Sequence, residues 1–225
     1  MDIWLILLIA FAPGLFWLWY FYKRDEYEPE PLHLMALLFF LGIAAALIAG
    51  VLELGAGQAV TGMIFFIIAV PVIEESVKFL MVLLFAYRNR EFDEPMDGIV
   101  YATATALGFA TLENAQYLLD FTSPSSILVT GAVRGILTVP AHALFGICWG
   151  YALGIAKFSP KEKRVPIITG GLVLGIAVHA LFNFLMEQSY PGFAVLLLVI
   201  LPLVWWGTEK KIRAALLAPD SSRNP

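Results

Sequence analysis

Cysteine, charge and polar linkers are all scarce in this chain. The one cysteine, Cys148, lies inside an apolar stretch, which rules out an intramolecular disulfide and leaves the redox compartment unidentified. Charged residues are 14% of the 225, against about 25% in average soluble chains. That shortage leaves no material for a soluble domain, and no nucleic-acid partner is expected. No internal repeat is evident, and no linker is long enough to divide the chain, so one integral-membrane domain over 1–225 is expected. The first apolar run has neither a basic leading region nor a small-x-small cleavage site, and reads as a retained anchor, not a signal peptide. The zinc signature His-Glu-x-x-His is absent too, so any metal site has to be assembled from separate helices.

What the chain has in abundance is apolar residues, 60% of the total. They fall into runs of about 20 residues, the length that crosses a hydrocarbon core roughly 30 Å thick. The expected fold is an all-α polytopic transmembrane helix bundle of about seven spans, near 3–22, 33–53, 62–87, 97–119, 126–157, 165–187 and 191–208. Pro140 sits inside the long fifth run, where a proline removes a helical hydrogen bond. A break there would make eight membrane elements.

Orientation follows from the basic residues. All but two of the 14 Lys and Arg cluster after the first, third, fifth and seventh runs, as in Lys23, Arg24, Arg88, Arg90 and the Lys157–Arg164 group. The connections near 54–61, 120–125 and 188–190 hold none. By the positive-inside rule the N-terminus lies outside and the C-terminus in the cytoplasm of a multi-pass bacterial membrane protein. Trp17, Trp19 and the Trp205-Trp206 pair are expected at the membrane interfaces. Gly146, Gly150, Gly154, Gly171 and Gly175 recur at intervals of four and read as close helix packing.

The remaining two basic residues, Lys78 and Arg134, lie within the spans, together with a set of other polar groups. Ile73-Glu74-Glu75-Ser76-Val77-Lys78-Phe79 places two carboxylates and an ammonium deep in the third run. Each ionisable group there costs roughly 2.5–3.5 kcal/mol on insertion scales, so the cluster points to function. Glu113, Asn114, His142, His179 and Asn183 lie at similar or slightly more outward depth, which predicts a polar chamber reached from the extracytoplasmic side. Lys78 is four residues after Glu74 and three after Glu75, within one helical turn of both. Glu74, Glu75 and Glu113 against Lys78 and Arg134 leave a net charge of −1. A divalent metal or a proton held by one carboxylate would offset it. A carboxylate beside water can act as general base in amide hydrolysis, with imidazole, amide or guanidinium donors stabilising the oxyanion. Alternatively, Glu113, His142 and His179 can hold a divalent metal such as Zn2+ with water as a further ligand.

These residues carry a resemblance. Glu-Glu-x-x-Lys, Phe109-Ala110-Thr111-Leu112-Glu113-Asn114, Arg134 with His142, and His179-Ala180-Leu181-Phe182-Asn183 occur in the order of the motifs of the PrsW family. That family comprises bacterial intramembrane proteases, distantly similar to the CAAX prenyl proteases with their Glu-Glu-x-x-x-Arg and two histidine motifs. The resemblance implies an endopeptidase that makes the first, extracytoplasmic-side cut in a membrane-spanning anti-sigma factor during a stress response. It implies Glu75 as the base that activates water, with Glu74 as runner-up or partner. His142 and His179 would orient water, bind metal or polarise the carbonyl, and Asn183 would donate to the oxyanion. Glu113 would be a ligand or supporting acceptor beside Asn114, while Lys78 and Arg134 would balance charge. Metal-dependent and metal-free glutamate mechanisms both remain open.

Three other readings compete. An ion-coupled transporter also keeps charges at mid-membrane, though it would usually show repeats or paired broken helices. A catalytically silent peptide-binding protein would retain the same motifs, and a structural ion-pair network would account for Glu74, Glu75 and Lys78. A retinal receptor fits poorly, because the last run has no Schiff-base lysine and Lys78 is crowded by two carboxylates.

Overall fold

The computed structural model describes residues 3–25, 27–188 and 190–217, all in helices and short connections, with no strand among them. Seven helical rods run α1 (Ile3–Tyr22), α2 (Leu32–Ala56), α3 (62–85), α4 (Pro95–Leu119), α5 (Pro124–Lys157), α6 (Lys161–Glu187) and α7 (190–216). Most begin and end within a few residues of the runs read from the sequence; α7 continues to Leu216. Five of them, α1, α2, α5, α6 and most of α7, are long and apolar enough to cross a membrane. The other two carry buried charges: Glu74, Glu75 and Lys78 on α3, and Asp97 on α4, which also bears Glu113.

Protein, not lipid, surrounds α4. Every residue from Pro95 to Thr111 is buried, and α1, α2 and the second half of α5 pack around it. A helix with Asp97, Thr103, Thr105, Thr111 and Asn114 on its surface suits that position better than a lipid-facing one. Close approach sets the packing. A Cβ on Gly150 would lie 2.4 Å from the Gly98 carbonyl oxygen, and one on Gly154 would lie 2.2 Å from that of Pro95. The glycine spacing in α5 is therefore the contact surface for α4.

Three helices share a device around proline. A π-helical turn spans Phe65–Ala69, Arg134–Thr138 and Leu196–Ile200, and two residues after each comes Pro71, Pro140 or Pro202. Proline lacks an N–H, and its ring collides with the carbonyl four residues earlier, so a wider turn relieves the clash without ending the helix. The break anticipated at Pro140 is thus not a break. Helix α5 runs unbroken from Pro124 to Lys157, and no eighth element arises there.

Each π turn strands a carbonyl. Val139 N–H reaches back to Arg134 O; the next residue is Pro140, so Gly135 O loses its ladder partner. Trp17 Nε1 donates to it at 3.1 Å. In α3, Val70 N–H reaches Phe65 O, and Pro71 leaves Phe66 O to Asn183 Nδ2 at 3.1 Å. Trp17, expected at the membrane interface, also serves as an inter-helix donor. It also packs edge-on against Trp205, with ring centroids 5.9 Å apart.

Trp17→Phe keeps the aromatic packing but leaves the Gly135 carbonyl without its donor. An unsatisfied buried acceptor costs about 1–3 kcal/mol. The thermal unfolding midpoint of the variant in detergent is expected to fall accordingly, and an unchanged midpoint would refute this assignment.

Candidate active site

The polar residues spread along the sequence from 74 to 183 come together in one place, and they form two layers. The inner layer is centred on Lys78, which is fully buried. Its Nζ donates to Glu75 Oε1 at 2.6 Å and lies 3.4 Å from Glu74 Oε2 and 3.3 Å from His142 Nδ1. The ammonium also stands 4.3 Å above the Phe109 ring, a cation–π contact that partly replaces lost hydration. Glu75 is equally buried and saturated. Its Oε1 faces His179 Nδ1 at 2.9 Å, and its Oε2 accepts Trp149 Nε1 at 3.0 Å.

The outer layer is built around Glu113. Its Oε2 receives Arg134 at 2.6 Å and lies 3.1 Å from His142 Nε2. Arg134 Nε donates to Asn114 Oδ1 at 3.1 Å, and the guanidinium sits 3.9 Å over the Tyr117 ring. Asn114 Nδ2 in turn reaches Ala10 O on α1 at 3.4 Å. His142 connects the two layers, since its two nitrogens face Lys78 and Glu113. The imidazoles of His142 and His179 meet edge-to-face at 5.4 Å, and His179 stacks on Phe145 at 4.5 Å.

Charge is matched pairwise. Glu75 pairs with Lys78 and Glu113 with Arg134, which leaves Glu74 as the surplus carboxylate. A cavity of about 500 Å³ adjoins the cluster, and Glu74, Glu113, Arg134, His142, His179 and Asn183 line it; Glu75 and Lys78 do not. The carboxylate expected first as base is therefore walled off behind donors, whereas its neighbour faces open space. Glu53, Gln116, Met186 and Glu187 also line the cavity. They sit at the helix ends that adjoin the connections lacking Lys and Arg. Glu53 and Glu187, at the ends of α2 and α6, thus add two carboxylates to the cavity wall.

Trp149, Tyr117 and the Phe66 carbonyl escaped the sequence reading. Trp149 alone left a trace: it lies seven residues, about two turns, after His142 and so on the same face. An aromatic N–H at that depth, between glycines, needs an acceptor inside the bundle.

Within this cluster, two groups of side chains offer ligand atoms within 4.8 Å of one another: Glu74, Glu113 and His142, and Glu74, Glu75 and His179. The trio expected from the sequence, Glu113, His142 and His179, is not among them, because the histidines turn towards different carboxylates. The first group suits a divalent metal by its donor types and its open face on the cavity. The second is enclosed by Lys78 and Trp149.

A family profile described as "PrsW family intramembrane metalloprotease" matches residues 30–207. The chain is 34% identical over 216 residues to a protein named Protease PrsW from Bacillus subtilis, covering 93% of this chain and 95% of that one. Another of that name from Geobacillus kaustophilus is 34% identical over 214 residues, 91% and 89% of the two chains. One from Clostridioides difficile is 30% identical over 214 residues, 92% and 87%. No solved structure matches.

The Glu75–Lys78 pair yields a stability prediction. Removing one member of a buried pair costs about 3–5 kcal/mol, because the other charge stays behind. Glu75→Gln and Lys78→Met are each expected to lower the unfolding midpoint strongly, and the double variant by less than their sum. A double-mutant cycle on thermal midpoints checks this, and strict additivity would show that the two groups are not coupled.

Proposed function

The chain belongs to the PrsW family of intramembrane metalloproteases, and on that premise we propose that it hydrolyses a peptide bond of a single-span membrane protein, using water activated by Glu74. That it is a multi-pass membrane protease follows from the family and its named relatives. Ion-coupled transport is thereby set aside. The observation that supports the mechanism is the contrast between adjacent carboxylates, Glu75 saturated and Glu74 facing the cavity.

Glu74 takes the proton of a cavity water as that water attacks the scissile carbonyl, and gives it to the amide nitrogen as the C–N bond breaks and the amine leaves. Lys78, 3.4 Å away, holds the carboxylate in place, and His142, with Nδ1 4.0 Å from Glu74 Oε2, orients the water. His179 and the second amide hydrogen of Asn183, whose first goes to Phe66 O, stabilise the developing oxyanion. Arg134, Glu113 and Asn114 fix His142 from the outer side. Glu75 keeps Lys78 charged and His179 in register. A divalent metal, where used, would be held by Glu74, Glu113 and His142 and would acidify a bound water and polarise the carbonyl.

The likeness to PrsW proteases supports the finer reading of the substrate: an anti-sigma factor-like protein cut on its extracytoplasmic side. The basic connections, placed in the cytoplasm by the positive-inside rule, support that orientation, because the cavity adjoins the opposite helix ends.

Glu74→Gln is expected to lower cleavage by at least about 10²-fold while leaving the thermal midpoint near wild type. Glu75→Gln is expected to lose both. His179→Ala is expected to cost about 10²–10³ in kcat. The test compares new protein N-termini in membranes of cells expressing wild type or Glu74→Gln at matched levels. Termini beside single-span segments that appear only with wild type support the proposal. Full cleavage by Glu74→Gln would remove Glu74 as base, and cleavage by neither protein, when both are folded and abundant, would favour a silent binding role.

A further inference from the structure

A second polar cluster lies at the other end of the bundle. Asp25 is in the turn after α1, Glu30 comes just before α2, and Asp97 is in the first turn of α4. The three are 2%, 3% and 0% exposed, and each offers a carboxylate oxygen within 4.8 Å of the others.

Their surroundings do not neutralise them. Tyr101 donates its hydroxyl to Glu30 Oε2. Asp97 Oδ2 accepts from the backbone of Asp93 at 2.7 Å and of Glu94 at 2.8 Å, capping α4. Both oxygens of Asp25 and Oδ1 of Asp97 are buried without a well-formed hydrogen bond among the described residues; the backbone of Glu28 is the donor nearest to Asp25, and Glu30 and Asp97 face each other. No Lys or Arg pairs with any of the three among those residues. Neighbouring Arg24 is engaged by Glu209, and Lys157 donates to the carbonyls of Tyr87 at 2.8 Å and Asn89 at 3.3 Å. Three abutting acceptors cannot all be ionised without a cation between them.

We propose that Asp25, Glu30 and Asp97 form a binding site for a hard divalent cation of the Mg2+ or Ca2+ type. The donors are all oxygen, which selects this class over the softer metals that prefer imidazole or thiolate. Two ligands of one Ca2+, at 2.3–2.6 Å each, stand no more than about 5 Å apart, and this cluster meets that limit. Asp25 supplies the ligand for which the fold offers no other use. The cation would tie the α1–α2 connection to the start of α4, at the opposite end of that helix from Glu113. Asp97 and Glu113 are 16 residues apart, about 24 Å along a helix, so this site is separate from the cavity and does not rest on the protease assignment.

The test uses the full chain in nanodiscs, stripped with a chelator and titrated with Mg2+ or Ca2+ alone by calorimetry and thermal shift. Wild type and Glu74→Gln are both expected to bind an equivalent of cation through this cluster and to unfold about 5 °C higher at saturation. Asp25→Asn and Glu30→Gln are each expected to weaken that equivalent by at least tenfold. No binding by wild type, binding undiminished in both variants, or loss of the only equivalent in Glu74→Gln would overturn the proposal. The first of these results would mean that protons neutralise the cluster.

Discussion

A charge that cannot reach water has to be matched by other side chains, and Lys78 imposes that requirement on the whole bundle. Its ammonium is fully buried, where an unpaired cation would cost far more than the chain's net stability allows. Glu74 and Glu75 come from its own helix, His142 from α5, and the Phe109 ring from α4. Glu75 then needs further donors for its remaining lone pairs and finds them in Trp149 on α5 and His179 on α6. One buried lysine therefore fixes the register of four helices. The same demand determines which carboxylate is left facing the cavity.

The prolines act through the same scarcity of donors. In water, the carbonyls stranded by Pro71 and Pro140 would be solvated, and the π turns would leave no mark on the tertiary structure. Inside the bundle they need partners, and Asn183 and Trp17 reach across to supply them. Asn183 is thereby held rigidly beside the cavity, with one amide hydrogen committed and the other free to serve chemistry. A positioned donor of this kind loses little by reorganising during reaction. On the proposed mechanism, packing and catalysis thus draw on one device.

Much of this was legible in the chain because burial penalties are local and strong. Runs of apolar residues located the helices, and the ionisable residues deep inside them marked the chamber. What escaped reading depends on rotation and on partners. Adjacent Glu74 and Glu75 differ by about 100° around α3, and no one-dimensional pattern says which side meets open space. Trp17 and Trp149 look like interface and packing residues until the carbonyl or carboxylate they serve is in view. Glu113 and His179 are both plausible ligands of one ion in sequence, yet His142 turns to the first while Glu75 holds the second. The π turns were half visible: Pro140 signalled a disturbance, but whether a helix breaks or widens depends on what its freed carbonyl can find.

The position of the cavity bears on how a helical substrate is handled. Peptide carbonyls in a membrane helix are already hydrogen-bonded, so attack requires local unwinding, and each group released in hydrocarbon would cost several kcal/mol. Glu53, Gln116 and Glu187 line the cavity with Glu74, and they give an unwound strand polar partners as well as a path for water. The penalty falls steeply where the substrate already approaches the interface. On the proposed reading, the bundle therefore favours cutting near the outer end of a span over its middle. Selectivity would come from how readily a given segment frays beside the cavity, more than from recognition of individual side chains.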